Sequence, residues 1–414
     1  MRYAAETGHY TYTSVDTRHI LHSLAKLRDY CEDEDFKGYD PYDGLNSRVA
    51  RALLPLRHSA FLRLCVIQGF KRCPVNLRPL ALVPKEHNAK GVALFLSGYC
   101  RLYRVLERHP EWQLALGPRW RVADRIGQLA DLLLSMRSEG NWHGACWGYN
   151  FDWQARRLFL FPKHTPTVVA TCFCATALAE AYEVAGGREW LDAALSAADF
   201  VACDLHRTPC PGGFLFSYSP LEGNDTVYNA SLLGSRILAL AYRYTRREGY
   251  RDLARQSVAA CCEGQRGDGA WVYGLLPVQG WVDSFHTGYN LEALAAYEEM
   301  AGDASFHNHL ERGFDYYIRH FFCEDGTPKY YDNRTYPIDI HCPGQLLVTL
   351  ARLGRTGDYA ALAGNVLDWT LRNMQAPVGY FYYQLKPHFS SKIPYMRWSN
   401  AFMFYAMAHY LDSL

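Results

Sequence analysis

The stretch from His164 to Gly187, HTPTVVATCFCATALAEAYEVAGG, decides the fold. It opens with a polar cluster, continues as an apolar segment on nearly every helical face, and ends at a pair of glycines. A helix that is apolar on most faces lies buried between other layers, and glycine ends helices because it accepts left-handed backbone. The stretch therefore predicts a buried helix with a polar start.

The same plan recurs four more times along the chain. The further segments, YNASLLGSRILALAYRYT, FHTGYNLEALAAYEEMAGD, IHCPGQLLVTLARLGRTGD and RWSNAFMFYAMAHYL, begin at Tyr228, Phe285, Ile340 and Arg397. Their starts lie roughly 55 to 65 residues apart, a length that fits a helix, a turn, a second helix and a return loop. Self-similarity at this period predicts a series of helical hairpins whose inner helices are the apolar segments.

The residues between the inner helices fit the rest of each hairpin. Glycine turns follow four of the five segments, at Gly186-Gly187, Gly249, Gly302-Asp303 and Gly357-Asp358, and more amphipathic outer helices follow the turns. A glycine and alternating aromatic residues come next, in GGFLFSY (212–218), DGAWVYG (268–274), DGTPKYY (325–331) and VGYFYYQ (378–384). These loops lead back to an inner-helix start, so we expect their aromatic rings at that end of the domain.

A sixth hairpin precedes the five clear ones. The segments from Asn88 and Trp120 form another inner and outer pair, and the helix around SVDTRHILHSLAKLRDYC supplies the missing outer partner of the last inner helix. We therefore predict an all-α fold, a closed (α/α)6 toroid that spans residues 1–414 as one domain. Residues 40–72 are left over as additional helices, and the aromatic loop from Ser138 to Lys163 is expected to cap one mouth.

Composition excludes several classes of protein. The formal net charge is +1 and basic residues are interspersed with acidic ones, so we expect no nucleic-acid partner. The start of the chain, MRYAAETGHYTYTSVD, has no signal-peptide pattern, and we find no transmembrane run; we expect a cytoplasmic protein. The 13 cysteines lack the spacing of a zinc site, so we predict no metal and no cofactor, with calcium dependence left open. The 30 tyrosines are the compositional anomaly.

The polar groups at the inner-helix starts form the candidate site. Helix N-termini bring unsatisfied N–H groups and positive dipole ends together, which favours anionic ligands. The residues at these starts are His164, Tyr228, Asn229, His286, His341, Arg397 and Trp398, with Asp283 and Asp339 just ahead of two histidines. Each polar residue has an alternative role as a helix cap or dipole partner, and the loop aromatics as packing. Their joint recurrence favours a site.

This set of side chains favours chemistry on an acidic sugar. Proton abstraction beside a uronic-acid carboxylate needs a His or Tyr base, a second acid and a cation or amide for the carboxylate. We assign acid and base roles to His286 and Tyr228, with His341 as third member and Asp283 orienting a histidine. Substrate binding is assigned to a second group, in which arginines hold the carboxylate and aromatic rings stack on sugars: Arg397, Arg334, Trp398, Trp147, Tyr336, Asn229, His164 and Asp339.

The whole pattern resembles the six-hairpin glycosidase-like superfamily, which includes glucuronyl epimerases, polysaccharide lyases and unsaturated glucuronyl hydrolases. GYDPYDGLNS (38–47), PVNLRPL (74–80), GYNFDWQAR (148–156), HTGYNLEAL (286–294), GTPKYYDNRTYPIDIH (326–341) and RWSNAF (397–402) are also similar to bacterial proteins of exopolysaccharide and O-antigen gene clusters. The resemblance implies an oligo- or polysaccharide substrate and association with a polysaccharide biosynthesis machinery. It supplies a context and no reaction, and the preference for an epimerase or lyase over a hydrolase rests on the His, Tyr and Arg side chains.

Three alternatives remain open at the level of sequence. A glycoside hydrolase would use two carboxylates across the scissile bond, from Asp152, Glu222, Asp225, Asp283, Asp332 and Asp339. A toroid that only binds glycans needs nothing beyond aromatic and polar groups. The segment from Gln265 to Trp271, QRGDGAW, fits a repeat of triterpene cyclases, but the second toroid, the membrane-binding apolar patch and the acidic initiator of those enzymes are not evident in the sequence.

Overall fold

The chain forms a closed ring of helical hairpins, as the sequence predicts. The computed structural model describes residues 17–52, 59–154 and 160–414. The predicted lack of a signal peptide concerns residues 1–16, which lie outside the described residues, as do parts of the leftover segment at 53–58 and of the capping loop at 155–159. The inner helices are α4 (Ala89–Arg108), α7 (Val168–Ala185), α9 (Tyr228–Thr245), α11 (Ser284–Ala301), α13 (His341–Arg352) and α15 (Phe402–Asp412).

An outer layer surrounds this ring. Its helices are α6 (Arg119–Ser135), α8 (Arg188–Asp204), α10 (Glu248–Glu263), α12 (His307–Phe321), α14 (Ala360–Met374) and α1 (Thr17–Asp33). Each of the first five packs on the inner helix that precedes it in the chain. Because the outer helices cover the inner ones, most inner-helix residues are buried on every face. The single apolar core runs around the whole ring.

Helices α15 and α4 close the ring by direct contact. The contact is close because α4 carries Gly98, where an added Cβ would lie 2.7 Å from the ring of Phe404. On the outside, α1 packs on α15, and the Gln375 side chain beyond α14 donates to the Ser23 carbonyl of α1 at 3.0 Å. Helix α1 therefore stands at the seam between the last hairpin and the first.

Helix α7 has the length and apolar composition of a membrane span. In the ring it contacts α4, α8 and α9, and 67% of it is buried inside the protein. The apolar surface that such a helix would present to lipid is here covered by neighbouring helices.

Short elements join and cover the hairpins. The additional helices are α2 (Arg48–Ala52), α3 (Ala60–Arg72) and α5 (Gln113–Leu116), with a 3-10 turn at Asp43–Asn46 and a π-helical turn at Met396–Ala401. Three small antiparallel sheets pair β1 (Trp153–Gln154) with β2 (Leu160–Phe161), β3 (Arg207–Cys210) with β4 (Gly213–Phe216), and β5 (Ile338–Asp339) with β6 (Gln384–Leu385) and β7 (Ser390–Ser391). Most of them lie in the loops at the inner-helix starts.

The inner helices end at turns that differ in part from the predicted ones. Gly186 and Gly302 are left-handed caps of α7 and α11, as expected. Gly249 instead lies inside α10, and Arg246 takes the left-handed position after α9 with φ of 56°. The turn after α13 uses Gly354, with φ of 67°, ahead of the predicted Gly357. A polar L-residue can occupy this conformation at a modest energetic cost, so glycine does not mark every turn.

The packing of α1 at the seam predicts a clear stability difference between two leucines. Leu24 of α1 is fully buried, whereas Leu114 of α5 is 98% exposed. Leu24→Ala should lower the free energy of unfolding by about 2–5 kcal/mol because it removes buried methyl groups and leaves a cavity. Leu114→Ala should change it by less than about 0.5 kcal/mol. Urea unfolding followed by circular dichroism measures both, and equal effects would show that α1 does not belong to the ring.

Candidate active site

Hydrogen bonds between return loops and inner helices shape one mouth of the ring. Four tyrosine carbonyls accept the N–H of the residue that opens or directly precedes the inner helix of the same hairpin. The pairs are Val168 N–H to Tyr218, Tyr228 N–H to Tyr273, Ser284 N–H to Tyr330 and Ile340 N–H to Tyr383, at 2.9, 3.3, 2.9 and 3.2 Å. Each bond satisfies a helix-start donor that would otherwise lack a partner. The loops are thus fixed, and their tyrosines lie around the mouth.

These tyrosines and their neighbours line an aromatic cleft. The hydroxyls of Tyr149 and Tyr218 are 3.2 Å apart, and Tyr273 stacks on Trp281 with ring centroids 4.6 Å apart. Tyr42, ahead of the 3-10 turn, covers the mouth from outside, 5.9 Å from Trp398. Most of these rings are half-buried. Planar apolar faces with polar edges suit the stacking of sugar rings.

Asp283 and His286 form a dyad at the floor of the cleft. Asp283 is the N-cap of α11 and accepts the His286 N–H at 3.0 Å. Its other oxygen lies 2.7 Å from His286 Nδ1 and accepts from the Trp281 indole at 2.9 Å. Because the carboxylate accepts a hydrogen bond from Nδ1–H, Nε2 of His286 is left as the nitrogen that exchanges protons. The imidazole is 21% exposed, toward the cleft, and its ring lies 4.7 Å from that of Tyr273.

A row of hydrogen-bonded polar side chains lies one helical turn further into the ring than His286. Lys90 Nζ donates to the Tyr289 hydroxyl at 3.0 Å, and this hydroxyl lies 2.7 Å from His341 Nε2. His341 Nδ1 lies 3.3 Å from the Trp398 carbonyl, which can only accept. The proton of His341 is therefore on Nδ1, and the Tyr289 O–H donates to Nε2. The hydrogen bonds therefore run in one direction, from the Lys90 amine through the Tyr289 hydroxyl to the His341 imidazole.

Burial determines the protonation states of Lys90, Tyr289 and His341. It lowers the pKa of Lys90 and that of His341 well below their ordinary values, and the neighbouring Arg397 acts in the same direction on both. Burial also raises the pKa of Tyr289 well above its ordinary value. The His341 imidazole is therefore neutral, the Tyr289 phenol is protonated, and the Lys90 amine holds its proton less strongly than usual.

Asp339 and Arg397 are both committed to internal partners. Asp339 is fully buried and accepts from the His341 N–H, the Trp398 indole and the Gln384 amide. Arg397 is 5% exposed and forms a two-pronged ion pair with Asp40 at 2.6 and 2.9 Å. Burial raises the pKa of Asp339 despite these hydrogen bonds. Within the described residues, no group of three or more His, Cys, Asp or Glu side chains could hold a metal ion.

The structure brings six of the predicted site residues together at the mouth: His286, His341, Asp283, Asp339, Arg397 and Trp398. Asp283 orients His286, as proposed from the sequence. The Arg397 guanidinium, predicted to hold a substrate carboxylate, is paired with Asp40 instead. Trp398 is 7% exposed, and its indole is fixed by Asp339.

Four predicted site residues lie elsewhere. The phenol of Tyr228 points outward toward α10, where an added Cβ at Gly264 would lie 2.4 Å from it. Trp147 is fully buried, with its indole donating to the Leu133 carbonyl. Asn229 is buried in the first turn of α9. His164 is exposed, with φ of 66°, and precedes the true cap of α7, Thr167.

Two predicted residues stand at the rim. The Arg334 guanidinium lies 4.2 Å from the Tyr331 ring, and Tyr336 is 43% exposed. Both belong to the loop that leads into α13, whose Tyr331 pairs with Asp283 in a β-bridge. They are placed to contact a ligand that extends out of the cleft.

Lys90, Tyr289 and Tyr42 were not among the predicted site residues. Lys90 could have been identified, because it is the single charged residue in the first two turns of the inner helix α4. Tyr289 follows His286 by three residues and so shares its helical face. Nothing in the sequence indicates that Tyr42 covers the mouth, because its partner Trp398 lies 356 positions away, at the other end of the chain.

Several solved structures share this fold. Cellobiose 2-epimerase from Bacillus thermoamylovorans B4167 superposes with a TM-score of 0.61 at 11% identity, over 80% of this chain and 90% of that one. An unsaturated glucuronyl hydrolase specific for heparin gives 0.58 at 14% identity, over 95% and 96%. D-mannose isomerase gives 0.54 at 13% identity, over 79% and 87%. The six-hairpin (α/α)6 toroid is confirmed.

The likeness lies in the fold rather than in the sequence. No protein-family model matches the chain, and no curated protein matches its sequence. The (α/α)6 fold that the six-hairpin resemblance implies is therefore confirmed by structure.

The buried neutral state of His341 predicts a pH dependence of stability. Its pKa is lowered in the folded protein, so below 6.5 the unfolded chain binds a proton that the folded chain does not. The free energy of unfolding must then fall as pH decreases through 6.5. Between pH 7.5 and 5.5, the wild type should lose about 1.4 kcal/mol more than His341→Gln. Urea unfolding at both pH values measures this difference, and identical losses would show that His341 is protonated in the fold.

Proposed function

We propose that this protein is a carbohydrate-active enzyme that removes a proton from, or returns one to, the carbon beside the carboxylate of a uronic-acid residue. The reaction is of the epimerase or lyase type. One observation carries the proposal: two separate proton-handling groups, His286 and Tyr289, lie on one face of α11 with ring centroids 6.2 Å apart. Abstraction and return of a proton at one carbon need two such groups.

His286 is the base in this scheme. Asp283 holds Nδ1, so Nε2 is free to take the proton and Asp283 stabilises the imidazolium that forms. Tyr289 is the acid, because its raised pKa keeps the phenol protonated. Lys90, which donates to the Tyr289 hydroxyl, is positioned to restore its proton after each turnover, while His341 accepts the O–H and holds it in place.

The cleft offers both apolar and cationic contacts to an acidic sugar. Tyr149, Tyr218 and Tyr273 supply ring faces, and Lys71 reaches the Tyr42 hydroxyl at 2.7 Å. Among the described residues, neither Lys71 nor Lys90 has a carboxylate partner. Lys71, which is half-buried, replaces Arg397 in the proposal as the group that neutralises the substrate carboxylate.

The names of the similar structures agree with the proposal in part. They include an epimerase and an isomerase of sugars, and a hydrolase of glucuronyl groups. All three act on carbohydrates, which supports a saccharide substrate for a cleft of this composition. A cytoplasmic location and a role in polysaccharide biosynthesis belong to the same proposal, and rest on the sequence.

A hydrolase would need two carboxyl groups open to the cleft. Asp283 is 2% exposed and already binds an indole, a backbone N–H and an imidazole. Asp339 is fully buried with three donors, and Asp40 is paired with Arg397. The carboxylates at the mouth are thus engaged in holding other groups, which favours imidazole and phenol as the reacting groups.

Two tyrosines on inner helices give a matched test. Tyr289→Phe should lower turnover of uronic-acid oligosaccharides by about 100-fold or more, because it removes the proton donor and breaks the chain to His341. Tyr228→Phe makes the same change where the phenol points away from the cleft, and should leave turnover within about twofold, since a hydroxyl that contacts no substrate adds nothing to the barrier. Product formation followed by NMR spectroscopy measures both.

A different pair of variants would contradict the proposal. Asn is also a good N-cap, so Asp283→Asn should preserve α11 while it disturbs the His286 tautomer. If His286→Ala keeps full turnover and Asp283→Asn abolishes it, a carboxylate and not an imidazole performs the reaction. Substrate binding without any turnover in the wild type would identify a glycan-binding protein.

A further inference from the structure

The segment from Ser47 to Lys85 differs in charge from the rest of the chain. It contains eight arginines and lysines and neither aspartate nor glutamate, whereas the whole chain has 43 basic and 42 acidic residues. The segment lies between α1 and α4, outside the repeating hairpins, and includes α2 and α3. Its composition does not follow from the repeat of the ring, although Lys71 also belongs to the reaction proposed above.

The same segment exposes large apolar side chains. Leu80 is 80% exposed, Phe61 72% and Val75 62%. We call the surface that they form the α3 face; its members are Val49, Phe61, Leu62, Val75, Leu77, Leu80 and Leu82. A group of large apolar side chains exposed within one short segment is typical of an interaction site.

Buried contacts hold the α3 face in one orientation. The Arg78 guanidinium is fully buried and bonds to Asp43 at 2.6 Å and to the Asp40 carbonyl at 2.8 Å. It also lies 5.4 Å from the ring of Phe70 on α3, so the loop after α3 and the helix itself rest on the same 3-10 turn. The inward side is thus fixed by an ion pair, and the apolar residues are left on the outward side.

The α3 face borders the aromatic cleft. Lys71 of α3 binds Tyr42, which covers the mouth, and Arg63 of α3 donates to Gln154 of β1 at 2.9 Å. Strand β1 also carries Trp153, whose ring lies 6.3 Å from Tyr42. A surface to which the α3 face binds would therefore lie next to the opening of the cleft.

We propose that the α3 face docks on the surface of a lipid bilayer that contains anionic lipids. Apolar side chains that enter the headgroup region beside exposed arginines, here Arg48 and Arg72, are what such a surface binds. A second copy of the chain is a poorer partner, because a twofold contact would place these basic residues against each other. Nucleic acid would match the charge but not the leucines.

Vesicle sedimentation tests the proposal with the full chain. The protein should bind vesicles of equal parts phosphatidylcholine and phosphatidylglycerol, and binding should weaken at high salt and with phosphatidylcholine alone. Arg48 and Arg72 are exposed and have no acidic partner among the described residues. Arg48→Gln with Arg72→Gln should lower the partition coefficient about fivefold per charge removed.

A matched pair of apolar double variants distinguishes vesicle binding by the α3 face from nonspecific hydrophobic binding. Phe61→Ser with Leu80→Ser should abolish binding without loss of stability, since both side chains are exposed. Leu114→Ser with Trp120→Ser removes two equally exposed residues at the opposite end of the ring, and should leave binding unchanged. The proposal is overturned if the wild type stays in the supernatant, if both pairs bind alike, or if Phe61 and Leu80 instead hold a dimer together.

Discussion

The hydrogen bond between a return loop and its own inner helix organises this protein. In four hairpins a tyrosine carbonyl accepts an N–H at the inner-helix start, where backbone donors lack partners within the helix. The bond requires the loop to fold back over the mouth of the ring. Three of the four tyrosines, Tyr218, Tyr273 and Tyr330, are half-buried there, whereas Tyr383 is buried. The backbone bond thus places these loop residues at the mouth, and the sequence supplies tyrosine at each of them.

Each acidic residue at the mouth likewise satisfies a backbone donor and at the same time holds a side chain. Asp283 caps α11 and also fixes His286, and Asp339 binds the first N–H of α13 and also fixes Trp398. A carboxylate engaged in this way cannot also approach a substrate. The polar groups left are Nε2 of an imidazole, a phenol and two lysines bonded to phenols, and the chemistry that we propose rests on them.

The fold could be predicted from the sequence because its signals are local. Apolar segments at a regular period identified the inner helices, and even their first residues agree closely with the structure: α9 starts at Tyr228 and α13 at His341. The Asp283–His286 dyad was equally accessible, since the two residues are three apart. The position of Tyr42 over the mouth could not be predicted in this way, because residues 40–72 follow no repeat.

The error over Tyr228 has a geometric cause. Tyr228 is the first residue of α9, and the first residue of α11 is Ser284, two positions before His286. Two residues correspond to about 200° of rotation around a helix axis, so Tyr228 points outward where His286 points into the cleft. Lys90, Tyr289 and His341 could not be connected from sequence, because the hydrogen bonds among them span 199 and 52 positions.

Deuterium incorporation tests the central claim most directly. Uronic-acid oligosaccharides are incubated with the protein in deuterated water and examined by NMR and mass spectrometry. If His286 exchanges a proton with the carbon beside the carboxylate, epimerised sugar will carry deuterium at that carbon, or an unsaturated uronate will form. A new reducing end, with no deuterium on carbon and no double bond, would show hydrolysis and contradict the account.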